Sequence, residues 1–199
     1  MGKIKFGLVA AVLLASVSGS ALAIEVGQFY GAVDVGQSKA KDACTDVFPG
    51  ETCTDTGTVL RGAVGYQAHP NVAVEASYAN YGKIMEFNDN AGGTAEVKAS
   101  GFQFSAVGSW PLADAFSVTG KLGLALTKGE IAARVVGVGS YAQDDSNTTF
   151  AWGVGAHFNI NQSVAIRAQY ERLGEISADK TNLGGRDLDL LSAGVVFSF

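Results

Sequence analysis

The stretch that decides the fold closes the chain and reads Leu191-Ser192-Ala193-Gly194-Val195-Val196-Phe197-Ser198-Phe199. Every second residue, from Leu191 to Phe199, is apolar, and the residues between them are mostly small or polar. A period of two over a whole segment is typical of a β-strand, because successive side chains point to opposite faces of the sheet. The stretch therefore predicts a strand with one apolar face and one face of different character.

The same period recurs in seven further segments of the chain. In the clearest of them, Phe102, Phe104 and Ala106 alternate with Gln103 and Ser105. With the closing stretch, these segments predict eight strands. The seven segments are 29–37, 59–68, 72–81, 102–110, 116–127, 150–158 and 164–171.

The connections between the predicted strands alternate in length. Three are short, at residues 69–71, 111–114 and 159–162, and the other four are long and polar. Short turns at one end and long loops at the other are typical of barrels in bacterial outer membranes. We therefore predict an all-β fold, an eight-stranded antiparallel transmembrane up-and-down β-barrel in the outer membrane, with both termini in the periplasm. The four predicted loops are residues 38–57, 82–96, 128–148 and 173–186.

Aromatic residues support a membrane position, because they fall into two groups, one at each end of the predicted strands. Phe29, Tyr66 and Trp110 represent the periplasmic group, and Tyr78 and Tyr170 represent the group near the loops. Aromatic belts of this kind occupy the two interfaces of a bilayer. The alternative is a soluble, lipocalin-like barrel with an apolar interior, which would turn the charged faces of the strands outward and would explain neither the belts nor the loop lengths.

The first 23 residues carry the features of a secretory signal peptide. Lys3 and Lys5 form a basic start, residues 6–15 form an apolar core, and Ala21-Leu22-Ala23 fits the cleavage pattern. An uncleaved membrane helix is the alternative, but the apolar core is short compared with the roughly 20 residues that a span needs. We predict cleavage after Ala23 and a barrel domain over residues 24–199.

Composition and cysteine usage narrow the class of protein further. Without Lys3 and Lys5, twelve of the fourteen basic residues remain against nineteen acidic ones, a net charge of −7 that argues against nucleic-acid binding. A hydrophobic content of 47% argues against disorder. Cys44 and Cys53 are nine residues apart, and in an exported protein this predicts a disulfide. A metal site is the alternative, although no histidine or further cysteine lies near them.

These features resemble the OmpA-type eight-stranded barrels, a family that also includes OmpX and Ail. The resemblance covers essentially the whole mature chain. It implies a barrel without the peptidoglycan-binding domain that follows it in OmpA. The segments that carry the resemblance are Phe29-Tyr30-Gly31-Ala32, Gly65-Tyr66-Gln67 with Pro70, Val74-Glu75-Ala76-Ser77-Tyr78, Gly101-Phe102-Gln103-Phe104-Ser105-Ala106 with Trp110-Pro111, Lys121-Leu122-Gly123 and Ile166-Arg167-Ala168-Gln169-Tyr170.

Seven polar residues fall on the inward phase of the strands and predict a polar network in the lumen. Eight strands enclose little more space than side chains fill, so we expect these groups to pair and to hold water. The resemblance implies a plug that can gate small conductances, but Val107 and His157 replace a lysine and a glutamate of the family. A structural core and a narrow channel both remain open. The seven residues are Asp34, Arg61, Glu75, Lys121, His157, Arg167 and Glu171.

No catalytic or cofactor motif stands out, since the chain has no G-x-S-x-G, no H-E-x-x-H and no cluster with metal-ligand spacing. We therefore expect no enzyme, cofactor or metal, with a lipid-acting enzyme as a distant alternative. The predicted function is structural and surface-presenting, with long loops that serve adhesion or host contact or that only cover the barrel. A narrow porin-like channel for ions or small solutes is the other candidate.

The expected partners follow from the predicted location. They are outer-membrane lipid and lipopolysaccharide, the barrel-assembly machinery and, through the loops, surface or host ligands. Val195, Phe197 and Phe199 form the predicted C-terminal assembly signal. We expect a monomer that binds no nucleic acid.

Overall fold

A computed structural model of the protein describes residues 26–41, 44, 52–88, 94–135, 139–176 and 186–199. The predicted signal peptide, residues 1–23, lies outside the described residues, as do much of the first and fourth loops and the tips of the second and third. Among the described residues, no helix is long and apolar enough to cross a membrane. The strands are β1 (Phe29–Ala40), β2 (Thr52–Thr54), β3 (Thr56–His69), β4 (Val72–Asn88), β5 (Thr94–Ala113), β6 (Phe116–Val135), β7 (Gly139–Asn159), β8 (Val164–Ile176) and β9 (Arg186–Ser198).

Eight of the strands form a closed antiparallel barrel, which confirms the predicted fold class. Each strand from β3 to β8 pairs with the next along the chain. The barrel closes because β1 pairs with β3 on one side and with β9 on the other. At this closing seam Val33 lies opposite Val195, and Gly31 lies opposite Phe197.

The two faces of each strand follow the predicted alternation. Phe104 and Val154 point outward and are each 56% exposed, whereas Ala125 and Ala151 point inward and are completely buried. Large apolar side chains thus cover the outside of the barrel, and small or polar side chains fill the inside. This distribution is the reverse of a water-soluble barrel and fits an outer surface bathed in hydrocarbon.

The prediction that residues 82–96 and 128–148 are loops is wrong over much of their length. β4 continues to Asn88, β5 begins at Thr94, and β6 and β7 are joined by a connection of only three residues, 136–138. The twenty residues of β6 far exceed the roughly 9–11 that a tilted strand needs to cross a bilayer. The strands therefore project well beyond the membrane on the loop side.

The reason for this error is physical. The outward residues of the projecting segments are polar, as at Lys83 and Lys98. The alternation of apolar outward residues with small or polar inward residues, by which the other strands are predicted, is therefore absent there. Apolar residues still fill the inside of these segments, since Ile84 and Val97 remain buried. Beyond the bilayer an outward side chain meets water, and a strand there no longer needs an apolar outer face.

The extra strand β2 lies on this projecting part. Its three residues pair with the outer end of β4, where Cys53 lies opposite Phe87. Between these outer residues and the membrane-spanning part, the register of β4 shifts at Gly82. The φ angle of Gly82 is +71°, and a Cβ there would lie 2.6 Å from the carbonyl oxygen of Thr58, so only glycine suits this bulge.

Candidate functional site

A layer of six charged side chains fills the middle of the lumen. Each is at most 4% exposed, although together they carry three positive and three negative charges. The inward phase of the strands brings them together from five different strands. They are Asp34 on β1, Arg61 on β3, Glu75 on β4, Lys121 on β6, and Arg167 and Glu171 on β8, with β9 and β5 adding polar neighbours.

Arg167 makes three hydrogen bonds to acids of this layer. Its Nε and one terminal nitrogen donate to the two carboxylate oxygens of Asp34, each at 2.6 Å. Its other terminal nitrogen donates to Glu75 at 2.7 Å. A guanidinium donates in a fixed fork, so a bidentate pair of this kind fixes orientation as well as charge.

Arg61 and Lys121 complete the layer on the other side of the lumen. Arg61 donates to Asp34 at 2.8 Å and also to Glu171. Lys121 donates to Glu75 at 2.8 Å and to Glu171 at 3.3 Å. Each base therefore contacts two acids, and each acid contacts two bases. We call this closed, alternating set of six residues the ion ring.

Three neutral side chains support the ion ring and were not singled out from the sequence. The hydroxyl of Tyr30 donates to Glu75 at 3.1 Å, and the amide of Gln103 donates to Glu171 at 3.3 Å. The hydroxyl of Ser192 accepts a hydrogen bond from Arg61 at 3.1 Å. All three occupy the inward phase of their strands, so the same period that located the charges could have located them.

His157, the seventh predicted lumen residue, stands apart from the ion ring. It lies opposite Ser117 on one neighbouring strand and opposite Arg167 on the other. Its side chain is only partly buried, and the ion pairs of the ring do not include it.

Apolar layers close the lumen on both sides of the ion ring. Toward the loops lie Val59, Tyr81, Leu173, Leu188 and Leu190, each at most 3% exposed. Toward the periplasm lies a smaller cluster of mainly short side chains. Water that enters from either end must pass one of these layers to reach the charges. The periplasmic cluster contains Tyr30, Ala32, Ala63, Ala73, Val107, Ala165 and Val196.

The two cysteines form the predicted disulfide. Cys44 and Cys53 are bonded, with their Cα atoms 5.8 Å apart. Because Cys53 belongs to β2, the bond ties the first loop to the strand that pairs with β4. Among the described residues, no group of histidine, cysteine, aspartate or glutamate side chains has the arrangement of a metal site.

The residues of the predicted assembly signal lie on β9 and the last residue of the chain. Phe197 and Phe199 point outward at the short-turn end and are 50% and 76% exposed. Val195 pairs with Val33 across the closing seam. Recognition of these residues by the assembly machinery stays a prediction.

A family model described as the OmpA-like transmembrane domain matches residues 25–199. The chain belongs to this family. Outer membrane protein A of Shigella flexneri is 29% identical over 173 residues, which cover 86% of this chain and 48% of that protein. The chain thus spans about half the length of this curated relative.

Solved structures of outer-membrane barrels share the fold at low sequence identity. Ail of Yersinia pestis, in complex with the heparin analogue sucrose octasulfate, has a TM-score of 0.59 and 18% identity, with 88% of this chain and 100% of that chain covered. Neisserial surface protein A has a TM-score of 0.58 and 18% identity, with coverage of 86% and 97%. OprG of Pseudomonas aeruginosa has a TM-score of 0.58 and 12% identity, with coverage of 89% and 98%.

Family and fold together establish where this OmpA-like barrel resides. It is a multi-pass β-barrel of the bacterial outer membrane, as the sequence predicts. Its apolar outer face therefore contacts lipid, and the projecting strands carry the long loops away from the bilayer.

Proposed function

We propose that the protein is a structural element of the outer membrane that presents its projecting strands and loops at the cell surface, and that it does not act as an open channel. The observation that carries this proposal is the closed ion ring, which fills the lumen between two apolar layers. An eight-stranded barrel has little interior space beyond what its side chains occupy. Here that space holds six paired charges.

The energy of the ion ring argues against frequent opening. Separating a buried charge from its partner costs about 3–5 kcal/mol. Since about 1.4 kcal/mol corresponds to a factor of ten, an open ring would be populated at roughly 1% to 0.03%. A narrow channel, the other function that the sequence allows, would therefore conduct only in rare openings.

The loops are the part of the molecule available for surface contact. Ail binds a sulfated sugar analogue in its solved structure. The first loop of this chain, residues 38–57, carries the four acids Asp42, Asp46, Glu51 and Asp55 against the two bases Lys39 and Lys41. An excess of acids in this loop disfavours a sulfated ligand. We therefore propose that the loops make surface contacts, but not that they bind a sulfated sugar.

Conductance in planar bilayers tests the closed lumen. We expect negligible current from the wild-type protein and more frequent openings from Glu75→Ala, because this substitution removes the shared partner of Lys121 and Arg167. Glu86→Ala, which removes an exposed acid outside the lumen, is the control and should behave like wild type. Steady wild-type currents equal to those of Glu75→Ala would refute the proposal.

A deletion strain tests the structural role in cells. We expect increased vesiculation and detergent sensitivity with unchanged uptake of small solutes. Complementation with a variant that lacks the tips of the loops should restore detergent resistance but not surface contact. A defect confined to solute uptake would instead support the channel.

A further inference from the structure

The outer end of β4 has a neighbouring strand on each side, and the two neighbours are held very differently. On one side β5 pairs with it along a long ladder, in which Glu86 lies opposite Glu96. On the other side lies β2, a strand of three residues in which Cys53 lies opposite Phe87. A short, isolated pair of strands is only marginally stable in water. β2 therefore needs further support to stay in place.

The chain is fixed to the barrel on both sides of β2. Before β2, the backbone nitrogen of Lys41 donates to the carbonyl of Asp187 on β9 at 3.0 Å. After β2, the carbonyl of Asp55 accepts a hydrogen bond from the nitrogen of Ala40 at 2.9 Å, and β3 begins at the next residue. Residues 42–54 connect these two anchors. β2 can therefore leave β4 while both anchors stay in place.

The disulfide ties β2 to the first of these anchors. Cys44 follows Lys41 by three residues and is bonded to Cys53, with the two Cα atoms 5.8 Å apart. A cross-link between positions nine apart restricts the detached chain, and in the chain-entropy model this favours the docked strand by roughly a hundredfold. Since three strand pairs alone are marginal, the position of β2 depends on this bond.

The disulfide is accessible to reagents in the surrounding water. Both cysteines are partly exposed, and β2 pairs with the part of β4 that projects beyond the bilayer. Exposed disulfides are the ones that thiols reduce most readily. The sequence contains two cysteines in all, so no other thiol of the chain competes for the exchange.

We propose that the Cys44–Cys53 disulfide is a redox switch for surface presentation, which releases β2 from β4 when it is reduced by a dithiol outside the cell. One thiolate of the dithiol attacks a sulfur of the bond and forms a mixed disulfide, and its second thiolate then displaces the cysteine. The two protons of the dithiol pass to Cys44 and Cys53, which end as thiols, and the dithiol ends as its own disulfide. The switch rests on the proposed function, in which the loop end of the barrel faces the cell exterior.

Release of β2 changes the backbone groups that the barrel presents. It uncovers one edge of β4 at residues 86–88, whereas the other edge stays paired with β5. An uncovered strand edge carries unpaired N–H and C=O groups. The oxidised and reduced proteins therefore differ at their outer tip, while the closed barrel below it is the same.

Hydrogen exchange of the protein in nanodiscs tests the release of β2. The oxidised protein is compared with protein that has been reduced with dithiothreitol and capped with iodoacetamide. We expect the amides of Thr52–Thr54 to exchange at least about tenfold faster after reduction, because the cross-link no longer restricts the detached chain. The amides of β9 should not change. Equal exchange of β2 in the two states would overturn the proposal.

Two matched samples separate the loss of the bond from other effects of reduction. The variant Cys44→Ser with Cys53→Ser should exchange as reduced wild type does, with or without dithiothreitol. Reduced wild type whose two sulfurs are joined again by one methylene group, supplied by diiodomethane, should exchange as the oxidised protein does. Fast exchange of β2 in the bridged protein, or slow exchange in the serine variant, would overturn the proposal. The gel shift of unheated samples should be the same throughout, since the eight strands of the closed barrel contain no cysteine.

Labelling of cells tests whether the switch faces the exterior. A polyethylene-glycol maleimide that is too large to cross the outer membrane should label the protein in intact cells only after treatment with dithiothreitol. Lysed cells treated in the same way give the full extent of labelling. Labelling confined to lysed cells would overturn both the proposed function and the switch. Labelling of intact cells together with unchanged exchange of β2 would overturn the switch alone.

Discussion

At the scale of single residues, the charge balance of the lumen depends on each base of the ion ring, and Arg167 is an example. Its guanidinium contacts both Asp34 and Glu75, so Arg167→Gln leaves the ion ring with three acids and two bases. We expect this variant to lose about 3–5 kcal/mol of stability, because an uncompensated charge stays buried. Urea unfolding of the protein in lipid vesicles, followed by tryptophan fluorescence, measures the loss.

Arg172→Gln is the matched control for this prediction. Arg172 also makes a two-bonded pair with a carboxylate, that of Asp189, but at the outer rim, where both side chains are partly exposed. The same substitution there should cost much less, because water replaces the lost partner. Similar losses at both positions would show that burial does not decide the strength of the ion ring.

The sequence predicts which residues point into the lumen but not which of them pair. Inward direction follows from the two-residue period alone, and this located all six members of the ion ring. Asp34 and Arg167, in contrast, are separated by 133 positions, and they meet only because β1 and β8 face the same narrow space. The apolar layer that contains Leu173 is not predicted from the sequence, because Leu173, Leu188 and Leu190 lie outside the predicted strands.

At the scale of strands, the seam between β1 and β9 depends on close backbone approach. Gly36 lies opposite Ser192 in this seam, and a Cβ at Gly36 would lie 2.1 Å from the carbonyl oxygen of Leu191. Gly36→Ala should therefore push the two strands apart and destabilise the barrel by about 1–3 kcal/mol. The fraction of protein that shows the folded gel shift after refolding at increasing urea concentrations measures the effect.

Gly62→Ala provides the comparison on β3, the other neighbour of β1. A Cβ at Gly62 meets nothing within 4 Å, so this variant should fold as wild type does. If both alanine variants fold equally well, close approach at the seam does not limit closure. If both variants fail to fold, the replacement of glycine itself, and not the close approach at Gly36, causes the defect.

The membrane-crossing parts of the strands can be predicted from the sequence, whereas the projecting parts cannot. The number of membrane-crossing strands and their faces follow from the sequence, because lipid demands an apolar outer face. The projecting parts of β4 to β7 lie outside the lipid and do not need an apolar outer face. Their strands are held by backbone hydrogen bonds, which can form with almost any residue type, so the sequence shows no clear pattern there. β2 is still harder to foresee, since three residues are too few to display a period.

At the scale of the whole molecule, depth in the membrane should decide the cost of an outward charge. Leu122 lies on the apolar outer face of β6 and is 59% exposed, whereas Leu112 lies near a short turn and is 66% exposed. Leu122→Arg should cost about 2–4 kcal/mol and Leu112→Arg about 0–1 kcal/mol. Unfolding in vesicles measures both values, and equal costs would mean that the apolar face is not immersed in hydrocarbon.

The closing seam brings the first and last strands of the barrel together, so the strand pairings do not depend on where the chain begins and ends. At the short-turn end, the backbone nitrogen of Phe199 donates to the carbonyl of Phe29 at 3.0 Å, and the reverse bond is 3.3 Å long. A short peptide could join these ends, and the chain could then be reopened within a long loop without the loss of any strand pairing. Such a circular permutant would carry its new ends on the outside of the cell, where a fused peptide would be displayed directly.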